Sequence, residues 1–477
     1  MTQFKDKSVL VLGLGETGLS LARWLGAQGA HVRVADSRAN PPGLDVLRRD
    51  CPQADIRCGA FDDSLLQDIE RIAISPGVPL ADPFVHRAIA RGIPVEGDIE
   101  LFAQHLEFKS ALSPTLSPAG RGSERERRPL ILAITGANGK TTVTSMVEHL
   151  CKAAGKDAVA AGNISPAVLD AVLQRGATQP DVWVLELSSF QLETTFSLNA
   201  DAATVLNVSE DHLDRYTGMD EYAAAKARIF SGSGVQVLNR DDARSLAMAL
   251  PGRRIVTFGL GKAEGEHEWG VARDGGGIWL AQGEQRVLDA SELQVAGLHN
   301  VANALAALAL CRAIGLPLPP LLAALRSFRG LPHRVEFVAE IGGVAYYDDS
   351  KGTNVGATVA ALEGLGCKSV LIAGGEGKGQ DFAPLNPAVA QHARAVLLIG
   401  RDAPLIEDAL EDCGVPVMRA MDMNDAVQRA SGLARRGDAV LLSPACASFD
   451  MFRNYQHRAE VFIAAVQNLV KEGAWSR

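Results

Sequence analysis

Short apolar runs alternate with helical patterns along the N-terminal part of the chain. SVLVLG predicts a buried strand, TGLSLARWLGAQG predicts a helix that ends at a glycine, and HVRVAD predicts the next strand. RIAISPG and IPVEGD continue the series. Because strands that alternate with helices pair in parallel, this segment predicts a parallel sheet with helices packed against it.

The same alternation returns twice. LILAIT, DVWVLELS and AATVLNVS predict strands of a second sheet, beside the predicted helix EYAAAKARIF, while VAYYDDS, SVLIAGG, AVLLIG and AVLLSPA predict a third sheet. A chain of 477 residues is too long for one core. We therefore predict three α/β domains, over residues 1–108, 130–330 and 331–477. The stretch 109–129 is rich in Ser, Pro, Gly and Arg without apolar periodicity, which predicts a flexible linker or surface insertion.

Composition narrows the class of protein. Hydrophobic residues make up 47% and charged residues 22%, as in ordinary globular domains, and the net charge of -9 argues against non-specific nucleic-acid binding. The most apolar stretch, NALAALALCRAIGLPLPPLLAAL, is broken by Arg312 and prolines, so it predicts two packed helices and no membrane insertion. The start shows no signal-peptide pattern, and seven scattered cysteines without a CxxC pair predict a reducing cytoplasm and no zinc site.

The first candidate for chemistry is the glycine loop GLGETG, residues 13–18. It follows a predicted strand, opens a predicted helix, and has Asp36 at the end of the next strand. Such glycines let the backbone approach a pyrophosphate at a helix N-terminus. Taken alone, the loop is compatible with a nicotinamide dehydrogenase and also with a turn that binds nothing.

A second glycine loop, GANGKTT, occupies residues 136–142. It is an incomplete P-loop, because Ile134 stands where the first glycine of the full signature would be. A strand still leads into it and a helix follows, Lys140 supplies a cation, and the Thr141 hydroxyl suits Mg²⁺. The loop predicts ATP in the central domain, which a dehydrogenase would not need.

Seven segments, in order, resemble the signatures of the bacterial Mur ligases: ITGANGKTT, VLELSSFQLE, NVSEDHLDRY, GLHNVANALAA, GLPHRVEF, YYDDSKGTN and LSPACASFDMFRN. The resemblance covers nearly the whole chain except residues 109–129. DDSKGTN, LSPACASFD and the first loop favour the members that add D-glutamate over their sister ligases and folylpolyglutamate synthetase. The resemblance implies a UDP-binding Rossmann-like domain, a central P-loop ATPase-like domain with a mostly parallel sheet, and a C-terminal Rossmann-like domain.

The implied reaction is ATP-driven amide formation in cytoplasmic peptidoglycan precursor synthesis, carried out by a monomer. An acyl phosphate of UDP-N-acetylmuramoyl-L-alanine would be attacked by the amine of D-glutamate. Three alternatives stay open from the sequence. They are an amide ligase of the same architecture for another amino acid or a folate, a nucleotide-dependent binding protein without turnover, and a dehydrogenase.

The resemblance also implies roles for individual residues. Lys140 would contact the β- and γ-phosphates, Thr141 and Glu186 would hold one Mg²⁺, and His212 would hold a second together with Lys226, carbamylated by CO₂. The plain alternatives are a solvated lysine at 226, an exposed strand-end carboxylate at 186, and a packed or surface histidine at 212. The implied ATP contacts are Gly136, Ala137, Asn138, Gly139, Lys140, Thr141, Thr142, Asn300, Asn303, Arg334 and Asp349. Asn300 could instead cap its helix.

The substrates would be held by the outer domains. The implied UDP-sugar contacts are Gly15, Thr17, Asp36, Ser37, Arg38, Ser75, Gly77 and Asn163. Among them, Asp36 would bind a hydroxyl and Arg38 a phosphate. The implied D-glutamate contacts are Thr353, Lys378, Ser448 and Tyr455. Lys378 would pair with a substrate carboxylate, and hydroxyl groups would serve the other carboxylate.

Overall fold

The computed structural model describes residues 3–112, 128–211, 215–275, 277–295 and 297–475. The N-terminal sheet has the strand order β3-β2-β1-β4-β5, and its neighbours all pair in parallel. Its elements are β1 (Ser8–Leu12), α1 (Glu16–Ala27), β2 (His31–Asp36), α2 (Leu44–Asp50), β3 (Asp55–Cys58), β4 (Arg71–Ile74), α3 (Pro83–Ala90), β5 (Val95–Glu96) and α4 (Asp98–Leu112).

The central sheet has the order β14-β13-β12-β11-β10-β9-β6-β8-β7. Only the hairpins β12–β13 and β13–β14 pair in antiparallel fashion within the described residues. The elements are β6 (Leu130–Thr135), α5 (Lys140–Ala153), β7 (Ala158–Gly162), α6 (Val168–Arg175), β8 (Val182–Glu186), α7 (Ser189–Glu193), β9 (Ala202–Val205), α8 (Met219–Ala227), β10 (Val235–Asn239), α9 (Ala243–Ala247), β11 (Ile255–Phe258), β12 (Glu268–Asp274), β13 (Gly277–Gln282), β14 (Gln285–Asp289), α10 (Leu298–Ala313) and α11 (Leu318–Ser327).

The C-terminal sheet has the order β15-β16-β20-β17-β18-β19, and only β15 runs antiparallel to its neighbour among the strands described. Its elements are β15 (Glu336–Ile341), β16 (Val344–Asp348), α12 (Val355–Gly364), β17 (Ser369–Gly374), α13 (Leu385–His392), β18 (Ala393–Ile399), α14 (Ala403–Ala409), β19 (Val417–Arg419), α15 (Met423–Leu433), β20 (Ala439–Leu442) and α16 (Tyr455–Trp475).

The first two domains share a hydrophobic core. Phe102 of α4 lies edge-to-face on Trp183 of β8, with 5.2 Å between ring centroids, and both side chains are buried. The apolar clusters on the two faces of the C-terminal sheet, by contrast, contain residues of that domain alone. The first two domains therefore form one packed unit, and the third has a core of its own.

The structure confirms the prediction of three α/β domains and of two packed helices, α10 and α11, in the most apolar stretch. In the described ranges, no helix has the length and apolarity required to cross a bilayer. The predicted linker needs a correction at its start, because α4 continues to Leu112. Residues 113–127 of that linker lie outside the described residues.

Candidate active site

The loop between β6 and α5 has the geometry of a phosphate loop. Gly136 and Gly139 have φ of +157° and +83°, and a Cβ at Gly139 would lie 2.7 Å from Oδ1 of Asn303. The loop amides of Ala137 and Asn138 donate to Asn207, at 2.9 and 2.7 Å. Only glycine allows this close approach of α10 to the loop. The predicted loop and the predicted Asn303 therefore lie side by side.

Lys140 begins α5 and folds back over the loop. Its Nζ donates to the carbonyl oxygens of Gly136 at 2.9 Å and Ala137 at 3.0 Å. Burial lowers the pKa of Lys140, and the carboxylates of Glu186 and Asp211 oppose that effect. A phosphate at the loop would offer this ammonium group a stronger acceptor than a carbonyl does.

A cavity of about 330 Å³ lies between the central and C-terminal domains. Pockets for small molecules typically begin at about this size. Predicted ATP contacts from both domains line it: Asn138, Gly139, Thr142, Asn300, Asn303, Arg334 and Asp349. Asn207, Ser209 and Lys351 also line it, although the sequence analysis did not single them out. The structure thus brings most of the predicted nucleotide set to one interdomain cavity.

Two hydrogen bonds connect the C-terminal domain to the phosphate loop between β6 and α5. Nη2 of Arg334 donates to Oγ1 of Thr141 at 2.8 Å, and Nδ2 of Asn354 donates to Oδ1 of Asn138 at 3.0 Å. Burial lowers the pKa of the Arg334 guanidinium, while Glu186 and Asp349 oppose the shift. Arg334 therefore reaches the nucleotide loop from the other domain, as a residue that stabilises phosphoryl charge must.

The backbone on both sides of Arg334 is strained. His333 and Val335 have φ of +63° and +49°, a region that residues with side chains rarely adopt. Nδ1 of His333 lies 2.7 Å from a carboxylate oxygen of Asp348. This contact anchors the strained turn to the adjacent strand β16, which ends at Asp348. Each such residue costs roughly 1–3 kcal/mol, so the surrounding contacts must hold Arg334 in place.

Glu186 ends β8 and is 2% exposed. Its Oε1 accepts a hydrogen bond from Nδ2 of Asn163 at 2.9 Å, and its buried Oε2 has no partner among the described residues. The alternative of an exposed strand-end carboxylate is therefore wrong. Carboxylate and hydroxyl oxygens are ligands that Mg²⁺ prefers, and a buried carboxylate oxygen needs a partner. Glu186 consequently fits a role as a Mg²⁺ ligand, whereas the hydroxyl of Thr141 accepts a hydrogen bond from Arg334 in this structure.

Lys226 lies on α8 and is 1% exposed, so the solvated-lysine alternative is also wrong. Its Nζ donates to the carbonyl of Gly136 at 2.9 Å and lies 4.4 Å from the ring centroid of Tyr222. Burial and the nearby Lys140 hold the pKa of Lys226 well below its usual range. A lysine with this environment gives up its proton readily, and a neutral amine is the form that reacts with CO₂. His212 lies outside the described residues.

Asn300 and Asn303 occupy one face of α10, where Nδ2 of Asn303 donates to Oδ1 of Asn300 at 3.2 Å. Helix α10 begins at Leu298 after Gly297, so the alternative role of Asn300 as its cap is wrong. Across the cavity, Oγ of Ser443 donates to Oδ2 of Asp349 at 2.7 Å, and burial raises the pKa of Asp349 to about 7.

The first glycine loop brings strand β1 close to helix α1. A Cβ at Gly18 would lie 1.7 Å from the carbonyl oxygen of Gly13, so glycine is required there. Oδ2 of Asp36 accepts from the amide of Leu14 at 2.7 Å, and Arg38 donates to both carboxylate oxygens at 2.8 and 2.7 Å. Arg38 thereby lowers the pKa of Asp36 to about 2. In this structure Asp36 accepts a hydrogen bond from the backbone of the glycine loop and forms an ion pair with Arg38.

The remaining predicted UDP contacts meet at the same edge of the sheet. Strands β2, β1 and β4 are neighbours, so the loops after them converge. The loops carry Gly15, Ser37, Ser75 and Gly77, and Thr17 lies in the first turn of α1. Asn163 belongs to the central domain, where its side-chain amide donates to Glu186 at 2.9 Å.

The predicted D-glutamate contacts lie on two connected parts of the C-terminal domain. Glu376 and Ala447 exchange two backbone hydrogen bonds of 2.9 Å, which joins the loop of Lys378 to the loop of Ser448. Oγ of Ser350 donates to the backbone carbonyl of Tyr455 at 2.8 Å, which connects the segment of Thr353 to α16.

Arg458 holds both parts together, a role that the sequence does not indicate. Its fully buried guanidinium donates to Oγ and the carbonyl of Ser350, at 3.0 and 2.8 Å, and to the carbonyl of Cys446, at 3.1 Å. No sequence signal identifies it, because an arginine on a helix is normally exposed.

Three family models match the chain: a Mur ligase MurD-like N-terminal domain over residues 7–97, a Mur ligase middle domain over 134–311, and a Mur ligase glutamate ligase domain over 333–446.

Two relatives are both named UDP-N-acetylmuramoylalanine–D-glutamate ligase. The protein of Nitrosospira multiformis is 57% identical over 98% of this chain and 96% of its own length. That of Methylobacillus flagellatus is 56% identical over 99% of each chain.

Solved structures share the fold at low sequence identity. The UDP-N-acetylmuramate–alanine ligase MurC of Thermotoga maritima superposes with a TM-score of 0.59 at 20% identity, over 97% of this chain and 99% of that one. MurF of Acinetobacter baumannii gives 0.59 at 16% identity, over 97% and 93%. The matched domains and the full-length relatives set aside the dehydrogenase alternative. The chain belongs to the Mur ligase family, together with the UDP-N-acetylmuramoylalanine–D-glutamate ligases.

Proposed function

We propose that this protein joins D-glutamate to UDP-N-acetylmuramoyl-L-alanine at the expense of ATP, in peptidoglycan precursor synthesis. The observation that carries the proposal is the interdomain cavity, where the phosphate loop meets Arg334 and Asp349 of the C-terminal domain. The names of the full-length relatives support the choice of substrates.

The chemistry begins with a carboxylate, which is a poor acyl donor. Its oxygen attacks the γ-phosphorus of ATP, ADP leaves, and a mixed acyl phosphate forms. The amine of D-glutamate then attacks the acyl carbon, a proton leaves the nitrogen, and phosphate departs as the amide forms. Lys140 and Arg334 both contact the loop and would supply positive charge where phosphoryl charge develops.

Mg²⁺ bound at the loop would neutralise phosphate charge. Thr141 and Glu186 would hold one ion, since the buried Oε2 of Glu186 needs a partner. His212 and a carbamate on Lys226 would hold a second. The ammonium of Lys226 first loses one proton; its neutral Nζ then bonds to the carbon of CO₂ and releases a second proton, so that the cation becomes a carbamate anion. The low pKa of Lys226 supports this step.

The two substrates would approach from opposite domains. The UDP group would lie at the sheet edge that carries Gly15, Thr17, Asp36–Arg38, Ser75 and Gly77, with the alanyl carboxylate near Asn163. D-Glutamate would bind to Thr353, Lys378, Ser448 and Tyr455. Since Arg334 belongs to the C-terminal domain, closure of this domain would complete the site before reaction.

Phosphate release from ATP tests the proposal. With UDP-N-acetylmuramoyl-L-alanine present, we expect release that requires D-glutamate and does not respond to L-glutamate, lysine or diaminopimelate. Release with another amino acid, or only with a folate substrate, would move the protein to a sister activity. ATP binding without release under any of these conditions would indicate a protein without turnover.

A monomeric state and action in the cytoplasm stay predictions. Light scattering of the purified protein checks the first, and fractionation of cells that produce it checks the second.

A further inference from the structure

We propose that Arg215 is a positioning residue that connects the UDP loop of the N-terminal domain, residues 75–77, to the ring stack beneath Lys226. The inference rests on the proposed function, because it uses the UDP-sugar as the ligand of that loop. Arg215 carries no signal in the sequence, and its contacts among the described residues are with Pro76, Glu193 and Phe190.

Arg215 makes three contacts, one of which crosses to the N-terminal domain. Its Nη1 donates to the carbonyl oxygen of Pro76 at 2.6 Å, across the boundary with the N-terminal domain. Its Nη2 donates to Oε2 of Glu193, on α7, at 2.9 Å. Its guanidinium carbon lies 3.9 Å from the ring centroid of Phe190. The side chain is 13% exposed, so these contacts form largely out of water and fix its position.

From Arg215 a continuous set of contacts leads to Lys226. The hydroxyl of Tyr216 donates to the other oxygen of Glu193 at 2.6 Å. The ring of Tyr216 lies 5.2 Å from that of Tyr222, and the Tyr222 ring lies 4.4 Å from Nζ of Lys226. Lys226 in turn donates to the phosphate loop at Gly136. A displacement of Pro76 would therefore change the position of Lys226 through these packed and buried side chains.

This position requires an arginine. The planar guanidinium of Arg215 donates to Pro76 and to Glu193 in different directions, and one of its faces packs against the ring of Phe190. The single ammonium of a lysine, on a flexible stem, cannot hold that geometry. The contact with Pro76 would set the position of the UDP loop, and the contact with Glu193 would set the tyrosine stack. Binding of the sugar nucleotide and the environment of Lys226 would then depend on one another.

Arg215→Lys tests the inference, with Arg87→Lys as the matched control. Arg87 also lies over a phenylalanine ring and pairs with a carboxylate, that of Asp63, but stays inside the N-terminal domain. We expect Arg215→Lys to bind UDP-N-acetylmuramoyl-L-alanine about tenfold more weakly by calorimetry, the loss of one charge-assisted hydrogen bond. The KM for this substrate should rise accordingly, while the KM for ATP stays near that of the wild type.

A second readout is the bicarbonate concentration that gives half the maximal rate. It should rise in Arg215→Lys and stay unchanged in Arg87→Lys, since only Arg215 supports the stack beneath Lys226. Glu193→Gln, which keeps the size of the side chain, should raise it as well. Glu193→Gln therefore still tests the inference if Arg215→Lys unfolds at a lower temperature than the control.

The outcomes separate the two proposals. Wild-type protein that does not bind the sugar nucleotide would overturn the proposed function itself. Wild-type binding together with unchanged affinity and unchanged bicarbonate dependence in Arg215→Lys and Glu193→Gln would overturn the role of Arg215 and leave the proposed function intact.

Discussion

Replacement of Asp98 by asparagine is expected to stabilise the protein at neutral pH and to change its stability little in acid. Asp98 begins α4 and is buried against the central domain, where its Oδ2 accepts from Nε2 of Gln191 at 3.0 Å. Its Oδ1 has no partner in the part of the chain that the structure describes. Burial raises the pKa of Asp98 from 3.8 to about 6, so the folded protein resists the charged form.

The sign follows from proton binding. Below an ordinary aspartate pKa both the folded and unfolded states hold the proton, and the group costs nothing. Between about pH 4 and about pH 6 the folded state keeps a proton that the unfolded state has lost, so stability falls as pH rises. Above about pH 6 the full free-energy cost of burying the charged carboxylate remains. About two pKa units correspond to about 3 kcal/mol. Asparagine keeps an acceptor for Gln191 and has an unpaired N–H where the protonated acid has an unpaired O–H, so we expect a net gain of about 3 kcal/mol at neutral pH.

The assay is denaturant unfolding of wild type and Asp98→Asn between about pH 4 and about pH 8. The difference in free energy of unfolding should be near zero at the acid end, grow across the window and then stay constant. Glu100→Gln, at the same interface, is a control for which we expect the opposite change in the free energy of unfolding. Glu100 accepts from the amides of Phe196 and Ser197 at 2.7 and 2.8 Å, and these bonds hold its pKa below the usual range against the effect of burial.

Glu100→Gln should therefore destabilise the protein at neutral pH, with a deficit that shrinks in acid. A difference for Asp98→Asn that does not vary with pH, or a variant less stable than wild type at neutral pH, would refute the reasoning about Asp98.

Other predictions concern the site. Lys226→Ala should lose nearly all turnover, and near-normal rates without added anion would contradict the carbamate. Glu186→Gln should raise the Mg²⁺ concentration for half-maximal rate by about 10- to 100-fold, whereas an unchanged Mg²⁺ titration would remove Glu186 from the metal site. Arg334→Lys should lower kcat by about 1,000-fold with folding intact by circular dichroism, and a small effect on kcat would show that its role is structural. Deletion of residues 113–127, which keeps the ion pair of Arg128 with Asp201, should leave kcat largely unchanged, and a large loss in a folded protein would refute the linker interpretation.

Local patterns in the sequence predict the architecture well. Strand β1, helix α1 and strand β2 lie where the apolar runs and glycines put them, because burial and backbone freedom are local properties. The hairpins of β12, β13 and β14 were missed, because charged and polar residues interrupt their apolar patterns, as in EWGVARD of β12 and QRVLD of β14.

The site shows a similar division. Motifs identify the phosphate loop and Glu186, because chemistry fixes residue types and spacing there. The burial of Lys226 and the internal pairing of Arg38 with Asp36 depend on which elements pack together. Arg215 and Arg458 act through contacts with segments far away in the chain, Pro76 and Ser350, which no local pattern encodes.

The most direct test of the account follows the oxygen atoms of the substrate carboxylate. UDP-N-acetylmuramoyl-L-alanine is labelled with a heavy oxygen isotope in the alanyl carboxylate and turned over with ATP and D-glutamate. Activation as an acyl phosphate predicts one labelled oxygen in each phosphate released and one in each amide formed, only when D-glutamate is present. Phosphate without label would mean that water, not the carboxylate, attacks ATP, and would contradict the proposed function.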